Sequence, residues 1–182
     1  MVISRSGDMI LACHDNKVRR LSVGGRVVTL INTKPYRPEG MCLTDSDEVV
    51  VCLRGREVAV YSPDGRSKLR EIRGEDSQGT PQISDPYRVV CNGKDLCVVD
   101  GDSNVVCVDE SDNVRWIYDD KQVKLMKKFY PLGICVDKYH HLLVTDYNNH
   151  CVHYLNREGE LIQVILTQEQ TGLRWPWGIM CR

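Results

Sequence analysis

Short apolar runs of four to six residues, rich in Val and Ile, alternate along this chain with polar turns. Val49-Val50-Val51-Cys52-Leu53 and Val58-Ala59-Val60-Tyr61 bracket a Gly-containing turn, and Tyr61-Ser62-Pro63-Asp64-Gly65 closes the second run. β-branched runs of this length, bounded by Gly, Pro, Asp and Asn, read as strands joined by tight turns. The same grammar returns at residues 96–99, at 105–108 and in the turn Glu110-Ser111-Asp112-Asn113. No stretch sustains the i, i+3, i+4, i+7 stripe of a capped amphipathic helix, and residues 119–129 predict a turn or two of helix at most.

The runs recur with a period. The clearest copy starts at Pro131-Leu132-Gly133-Ile134-Cys135-Val136-Asp137, continues through 141–154, turns at Asn156-Arg157-Glu158-Gly159 and ends in a fourth run over 161–166. The opening prolines Pro38, Pro86, Pro131 and Pro176 are 48, 45 and 45 residues apart, and the third-strand valines Val18, Val58, Val106 and Val152 step by 40, 48 and 46. A repeat of this length holding four antiparallel strands is a propeller blade, because one such sheet cannot bury both faces alone and must stack on neighbours. The expected fold is therefore an all-β β-propeller of four-stranded antiparallel blades. Its units are 1–31, 38–73, 86–118 and 131–166, with 175–182 as the first strand of a further blade. Two completions are open: a piece of a roughly six-bladed ring, or a last strand that joins the first unit and closes four blades. The six-bladed fragment is the expectation, since the last strand would compete with the partial strand at 1–4. An open arc would expose strand edges and a blade face, which predicts self-association.

Composition narrows the setting. With 42% apolar and 27% charged residues among 182, the chain has an ordinary globular balance. No apolar run approaches the ~20 residues of a membrane helix. The start, Met1-Val2-Ile3-Ser4-Arg5, lacks the pattern of a signal peptide. A cytoplasmic protein with no membrane partner is the expectation. Nine cysteines never fall in the paired short spacings of a zinc module, and most sit inside apolar runs. Their odd number and the absent secretion signal favour free thiols. Residues 1–74 carry 13 Lys and Arg against 9 Asp and Glu, whereas 75–182 carry 11 against 16. The basic half hints at an anionic partner, while a pI near 6.5 argues against a broad non-specific grip on phosphate.

The stretch Asp146-Tyr147-Asn148-Asn149-His150-Cys151-Val152 resembles the hallmark of NHL repeats, with Asn149 and His150 in place and Cys151 where Leu or Arg is usual. At the hallmark Asp position the other units show Ala12, Cys52 and Asp100, and at the Asn position Asp15, Gly55 and Ser103. Divergent repeats with Pro-Trp-Gly-Ile openings and Asn-Arg-Glu-Gly turns are similar to the carboxy-terminal part of tripartite-motif proteins. In that family a RING and B-boxes carry out ubiquitin transfer and the propeller recognises protein or RNA. Neither catalytic module is encoded in these 182 residues. The resemblance implies the partner-binding end of a ubiquitin ligase of that type: a non-catalytic recognition module without a cofactor.

In a propeller, the loops before the first strand and between the second and third strands share one face. Here they bring up Tyr36, Arg37, Arg54, Arg56, Tyr87, Arg88, Tyr130, Tyr147, Asn148, His150, Trp175 and Trp177. Aromatic and arginine side chains anchor protein interfaces and stack on bases. Asp146 and Asn149 are expected to bond turn backbone instead, and His140 and His141 lack an acid at ligand spacing, so no metal is expected there. An enzymatic alternative comes from Pro38-Glu39-Gly40, which resembles the Glu-Gly opening of gluconolactonase-type metal-dependent hydrolases. Glu39, Asp100, Asn148 and Asp146 would then be the oxygen ligands. Only one opening turn carries Glu, however; Tyr87, Leu132 and Trp177 hold the other positions. No Ser-His-Asp order, Cys-His pair or phosphate-cradling glycine loop is present.

Overall fold

The computed structural model describes residues 1–101, 103–119, 121 and 126–181. It contains four four-stranded antiparallel sheets, each running in chain order from one edge to the other. Blade 1 is β1 (Val2–Ile3), β2 (Met9–Cys13), β3 (Lys17–Leu21) and β4 (Val27–Asn32). Blade 2 is β5 (Pro38–Leu43), β6 (Val49–Leu53), β7 (Glu57–Tyr61) and β8 (Lys68–Ile72). Blade 3 is β9 (Pro86–Asn92), β10 (Asp95–Asp100), β11 (Asn104–Val108) and β12 (Val114–Tyr118). Blade 4 is β13 (Pro131–Val136), β14 (Leu142–Asp146), β15 (Cys151–Leu155) and β16 (Leu161–Ile165), followed by the single helical turn α1 (Gln168–Thr171).

Alternation along the strands explains why the blades stack. On β10, Leu96 and Val98 point to blade 2, where they join Val50, Cys52, Val58 and Val60. Cys97 and Val99 point the other way and pack with Ile134, Leu142, Val144 and Leu155 of blade 4. Ile10, Val18 and Ile31 of blade 1 meet Val49, Val51 and Ala59 of blade 2. Strands such as β6 and β10 are buried on both faces and accordingly read as continuous apolar runs.

The pairing corrects two sequence assignments. Val18, Val58 and Val152 each pair with the penultimate residue of the second strand, and in blade 3 that place is held by Val105, not Val106. Likewise Asp146 and Asp100 end their second strands opposite the opening proline, and Leu53 does so in blade 2. Leu53 and Cys13 are thus the counterparts of the hallmark Asp, one residue beyond Cys52 and Ala12. The cause is turn length. Residues 147–150 separate β14 from β15, whereas the other blades use one residue fewer (14–16, 54–56, 101–103).

The glycine two places after the opening proline allows neighbouring first strands to touch. A Cβ on Gly40 would lie 2.6 Å from the Arg88 Cα, and one on Gly133 would lie 3.0 Å from the Gly178 Cα. Residues 175–181 therefore lie against β13 much as β9 lies against β5, but they form no strand. The strand expected over 175–182 is absent across these residues because they make no sheet pairing; Arg182 lies outside the described residues. Nor do they complete blade 1, whose first strand is its own Val2–Ile3. Of the turn of helix expected over 119–129, residues 120 and 122–125 fall outside the described residues, and 119, 121 and 126–129 form no helix. Among the described residues no helix is long and apolar enough to cross a membrane.

Candidate partner-binding face

In blades 3 and 4 the loops before the first strands are held by buried acids at the ends of the second strands. The Asp100 carboxylate, 1% exposed, accepts the backbone N–H groups of Ser84 (3.1 Å) and Asp85 (2.8 Å). One blade on, Asp146, fully buried, accepts the N–H groups of Tyr130 (3.3 Å) and Asn149 (3.2 Å) and the Asn149 side-chain amide (2.7 Å). Burial opposes the Asp146 carboxylate, but contacts from His153 and Asn149 outweigh it and hold its pKa below the ordinary value. The His153 ring lies behind it, fully buried, with Nδ1 2.8 Å from the Tyr118 hydroxyl and Nε2 3.4 Å from the Asp146 carboxylate. The structural role expected of Asp146 and Asn149 is what the geometry displays. Asn149 also donates to the Lys127 carbonyl and accepts from the Lys127 N–H, so it ties the incoming loop to the β14–β15 turn.

On this scaffold the twelve sequence-derived residues separate into four groups. Arg54, Tyr87, Tyr130 and Trp177 line one cleft of about 250 Å³ together with Asp85, Asp100, Pro131 and Leu132. Tyr147 borders it, with its ring edge-on to Tyr130 (6.1 Å between centroids) and to Trp177 (6.2 Å). The Tyr147 N–H donates to the Tyr130 carbonyl, which fixes the two tyrosines relative to each other. Arg37 and Arg88 instead line an opening of about 340 Å³ to which all four blades contribute, with Glu39, His14 and Ile134. Tyr36 and Arg56 form a separate stacked pair, the guanidinium 4.8 Å from the ring centroid. Asn148 and His150 line a third, shallower depression of about 810 Å³ with Met126, Val164 and Gln168. His150 accepts the Trp175 N–H there (3.2 Å) and meets its ring edge-on. The expected single face is thus an aromatic cleft with three satellites.

The arginines are already engaged. Arg37 and Arg54 flank the Glu39 carboxylate at 3.1 and 3.6 Å, and Arg54 also reaches Asp85 at 4.0 Å. Arg56 bonds the buried Glu57 (3.1 Å), and Arg88 stacks on Tyr87 while donating to its carbonyl. Asp85, which the sequence reading passed over, accepts the Gly55 N–H at 2.7 Å and so joins blade 2 to the cleft floor. Its signal was its place immediately before an opening proline, shared with Arg37, Tyr130 and Trp175. The four oxygen ligands of the hydrolase alternative do not converge: Glu39 faces the opening shared by the blades, Asp100 the cleft, Asn148 the third depression, and Asp146 is spent on turn backbone.

Four stacked four-stranded antiparallel sheets define a β-propeller architecture. Residues 130–153 match the NHL repeat family, which places the repeat across Tyr130, β13, β14 and the first three residues of β15. Solved structures agree on the fold. A streptogramin B lyase is 15% identical with a TM-score of 0.77, covering 99% of this chain and 57% of that protein. A catalytically inactive virginiamycin B lyase from Staphylococcus aureus, solved with quinupristin, gives 15%, 0.76, 99% and 58%. A mitotic checkpoint complex chain gives 13% and 0.70, covering 90% of this chain and 49% of that one. The chain thus spans somewhat over half the length of the lyases it matches. No curated protein matches it in sequence.

Proposed function

We propose that the chain is a recognition module, not a catalyst, and that its aromatic cleft grips an extended segment of a protein partner. One observation carries this reading: Tyr87, Tyr130 and Trp177 converge on a single cleft, with Tyr147 locked at its border. Tyr130 is 43% and Trp177 56% exposed, a large apolar area left in water at a place where backbone bonds make the loops rigid. Rigid aromatic anchors in a pocket are the usual source of protein-interface affinity. A protein partner is favoured over RNA because Arg37 and Arg54 are neutralised by Glu39 and Asp85, and Asp100 adds negative charge to the cleft floor. The NHL repeat in blade 4 supports the same reading, and the tripartite-motif-like setting is proposed on the Pro-Trp-Gly-Ile and Asn-Arg-Glu-Gly resemblance alone.

The test is quantitative affinity capture with the parent chain, Trp177→Ala, Tyr147→Ala and the control Tyr139→Ala, which removes an aromatic 65% exposed outside the cleft. The reading expects a protein recovered by the parent and by the control but reduced at least about tenfold with either cleft variant, as for loss of an anchor contributing some 1.4 kcal/mol or more. Equal recovery by all four chains would overturn it. RNA recovered in an arginine-dependent manner would overturn the choice of partner.

A further inference from the structure

The period places a cysteine near the same position of each opening segment that starts with proline. Cys42 and Cys135 stand four residues after Pro38 and Pro131, and Cys91 and Cys181 stand five after Pro86 and Pro176. Because these segments run side by side, the repeat converts a one-per-blade residue into pairs across blade boundaries. The Cys42 and Cys91 sulfurs lie 3.2 Å apart on β5 and β9, and Cys181 stands close enough to Cys135 to help raise its pKa. Cys42 and Cys91 are half-buried. A third close pair, Cys97 and Cys107, also sits at 3.2 Å, but on neighbouring strands of one blade and fully enclosed.

We propose that Cys42 and Cys91 form an oxidation site that closes into a disulfide joining blade 2 to blade 3. The two sulfurs need to approach from 3.2 Å to about 2.05 Å, a shift within side-chain reach. Their roles differ. The hydrogen bond shared by the two sulfurs lowers the Cys91 pKa and raises that of Cys42. Cys91 is therefore the attacking sulfur toward a peroxide: its thiolate takes one oxygen of hydrogen peroxide, forming a sulfenic acid and releasing hydroxide. The Cys42 sulfur then attacks the sulfenic sulfur, the S–O bond breaks, and water leaves with the thiol proton. In sum two thiols and one peroxide give one disulfide and two waters, and an added dithiol reverses the step by exchange. The bond would tie together the two first strands whose backbones meet at Gly40 and Arg88, beside the opening lined by Arg37 and Arg88.

The experiment treats the full chain with hydrogen peroxide at a few equivalents, alkylates the remaining thiols and maps disulfide-linked peptides by mass spectrometry over time. The expected result is a link between the Cys42 and Cys91 peptides that forms before any other, lowers the free-thiol count from nine to seven, and disappears with dithiothreitol. The linked chain should also melt higher by several degrees, as expected for cross-linking a loop of about 50 residues. Cys91→Ser and, separately, Cys42→Ala should each remove this link while Cys13→Ser keeps it. A Cys97–Cys107 link forming first, or Cys91 passing to the sulfinic acid without linking to Cys42, would overturn the proposal; because both readouts use the parent chain, a variant that misfolds does not blunt the test.

Discussion

Replacing Asp146 with Ala removes the acceptor that holds the loop before β13 and the β14–β15 turn in one geometry. Three donors lose their partner: the Tyr130 N–H, the Asn149 N–H and the Asn149 side-chain amide. Hydrogen bonds to a charged acceptor contribute about 1.5–3 kcal/mol each. The Tyr130 and Asn149 groups are part-buried and partly rehydrate, so the lower end applies. At about 1.5 kcal/mol for each of the three bonds we expect a loss of about 4–5 kcal/mol, or a fall in Tm of about 8–20 °C for a chain of this size. Asp137→Ala is the internal control. Asp137 also accepts three bonds, from the Tyr139 and His141 N–H groups and the Tyr154 hydroxyl, but at a solvated turn, so it should cost about 1 kcal/mol. Urea unfolding followed by far-UV circular dichroism, with Trp fluorescence as a second probe, separates the two. If Asp146→Ala unfolds within 1 kcal/mol of Asp137→Ala, the claim that the hallmark Asp organises the loop is wrong.

Other outcomes follow from the same geometry. Gly159→Ala places a Cβ against the Trp116 ring and a side chain at φ +80, so it should lose about 2–4 kcal/mol at the joint between blades 3 and 4, read as a shift in urea midpoint. Leu142→Ala empties a fully buried site between those blades and should lose about 2–5 kcal/mol in the same assay. Arg54→Ala should change stability by less than about 1 kcal/mol, because its pairs with Glu39 and Asp85 are solvent-screened; a larger loss in thermal unfolding would show that they join the blades. The folded-state pKa values of Asp146, Asp109 and Asp137 lie below their unfolded values, so their contribution is full above about pH 5 and is lost as pH falls through the folded values. Asp112, pushed up by burial, acts with the opposite sign and partly offsets that loss. The urea midpoint should therefore fall between pH 5 and pH 3, and a flat profile would contradict the bonding described for these acids.

The fold was legible because two independent features recur, an opening proline in blades 2 to 4 and a buried third-strand valine in all four, and both arise from packing. The landmark slipped at Val106 because β11 is apolar on consecutive positions, so periodicity alone does not show which valine faces which neighbour. The short helix α1 followed from a capping box, Thr167 with Gln170, closed by Gly172 in the left-handed conformation. That signal spans few residues, and no apolar stripe accompanies it. The candidate site was legible only as a set of residues on one face. Its division into a cleft and three satellites depends on which arginine finds which acid, and Glu39, Asp85 and Glu57 lie far from some of their partners in sequence. The cysteine pairs were written in the period, but a sulfur-to-sulfur contact requires knowing that β5 and β9 meet at Gly40.

Hydrogen–deuterium exchange of the chain with and without its captured protein partner bears most directly on the central claim. If the aromatic cleft is the partner-binding face, slowed exchange should concentrate in residues 84–88, 128–132, 145–149 and 174–178, which carry the cleft's aromatic side chains with Asp85 and Asp146. Unchanged exchange in those segments, with protection confined to the shallower depression around 162–170 or to the outer strand of blade 1, would contradict it.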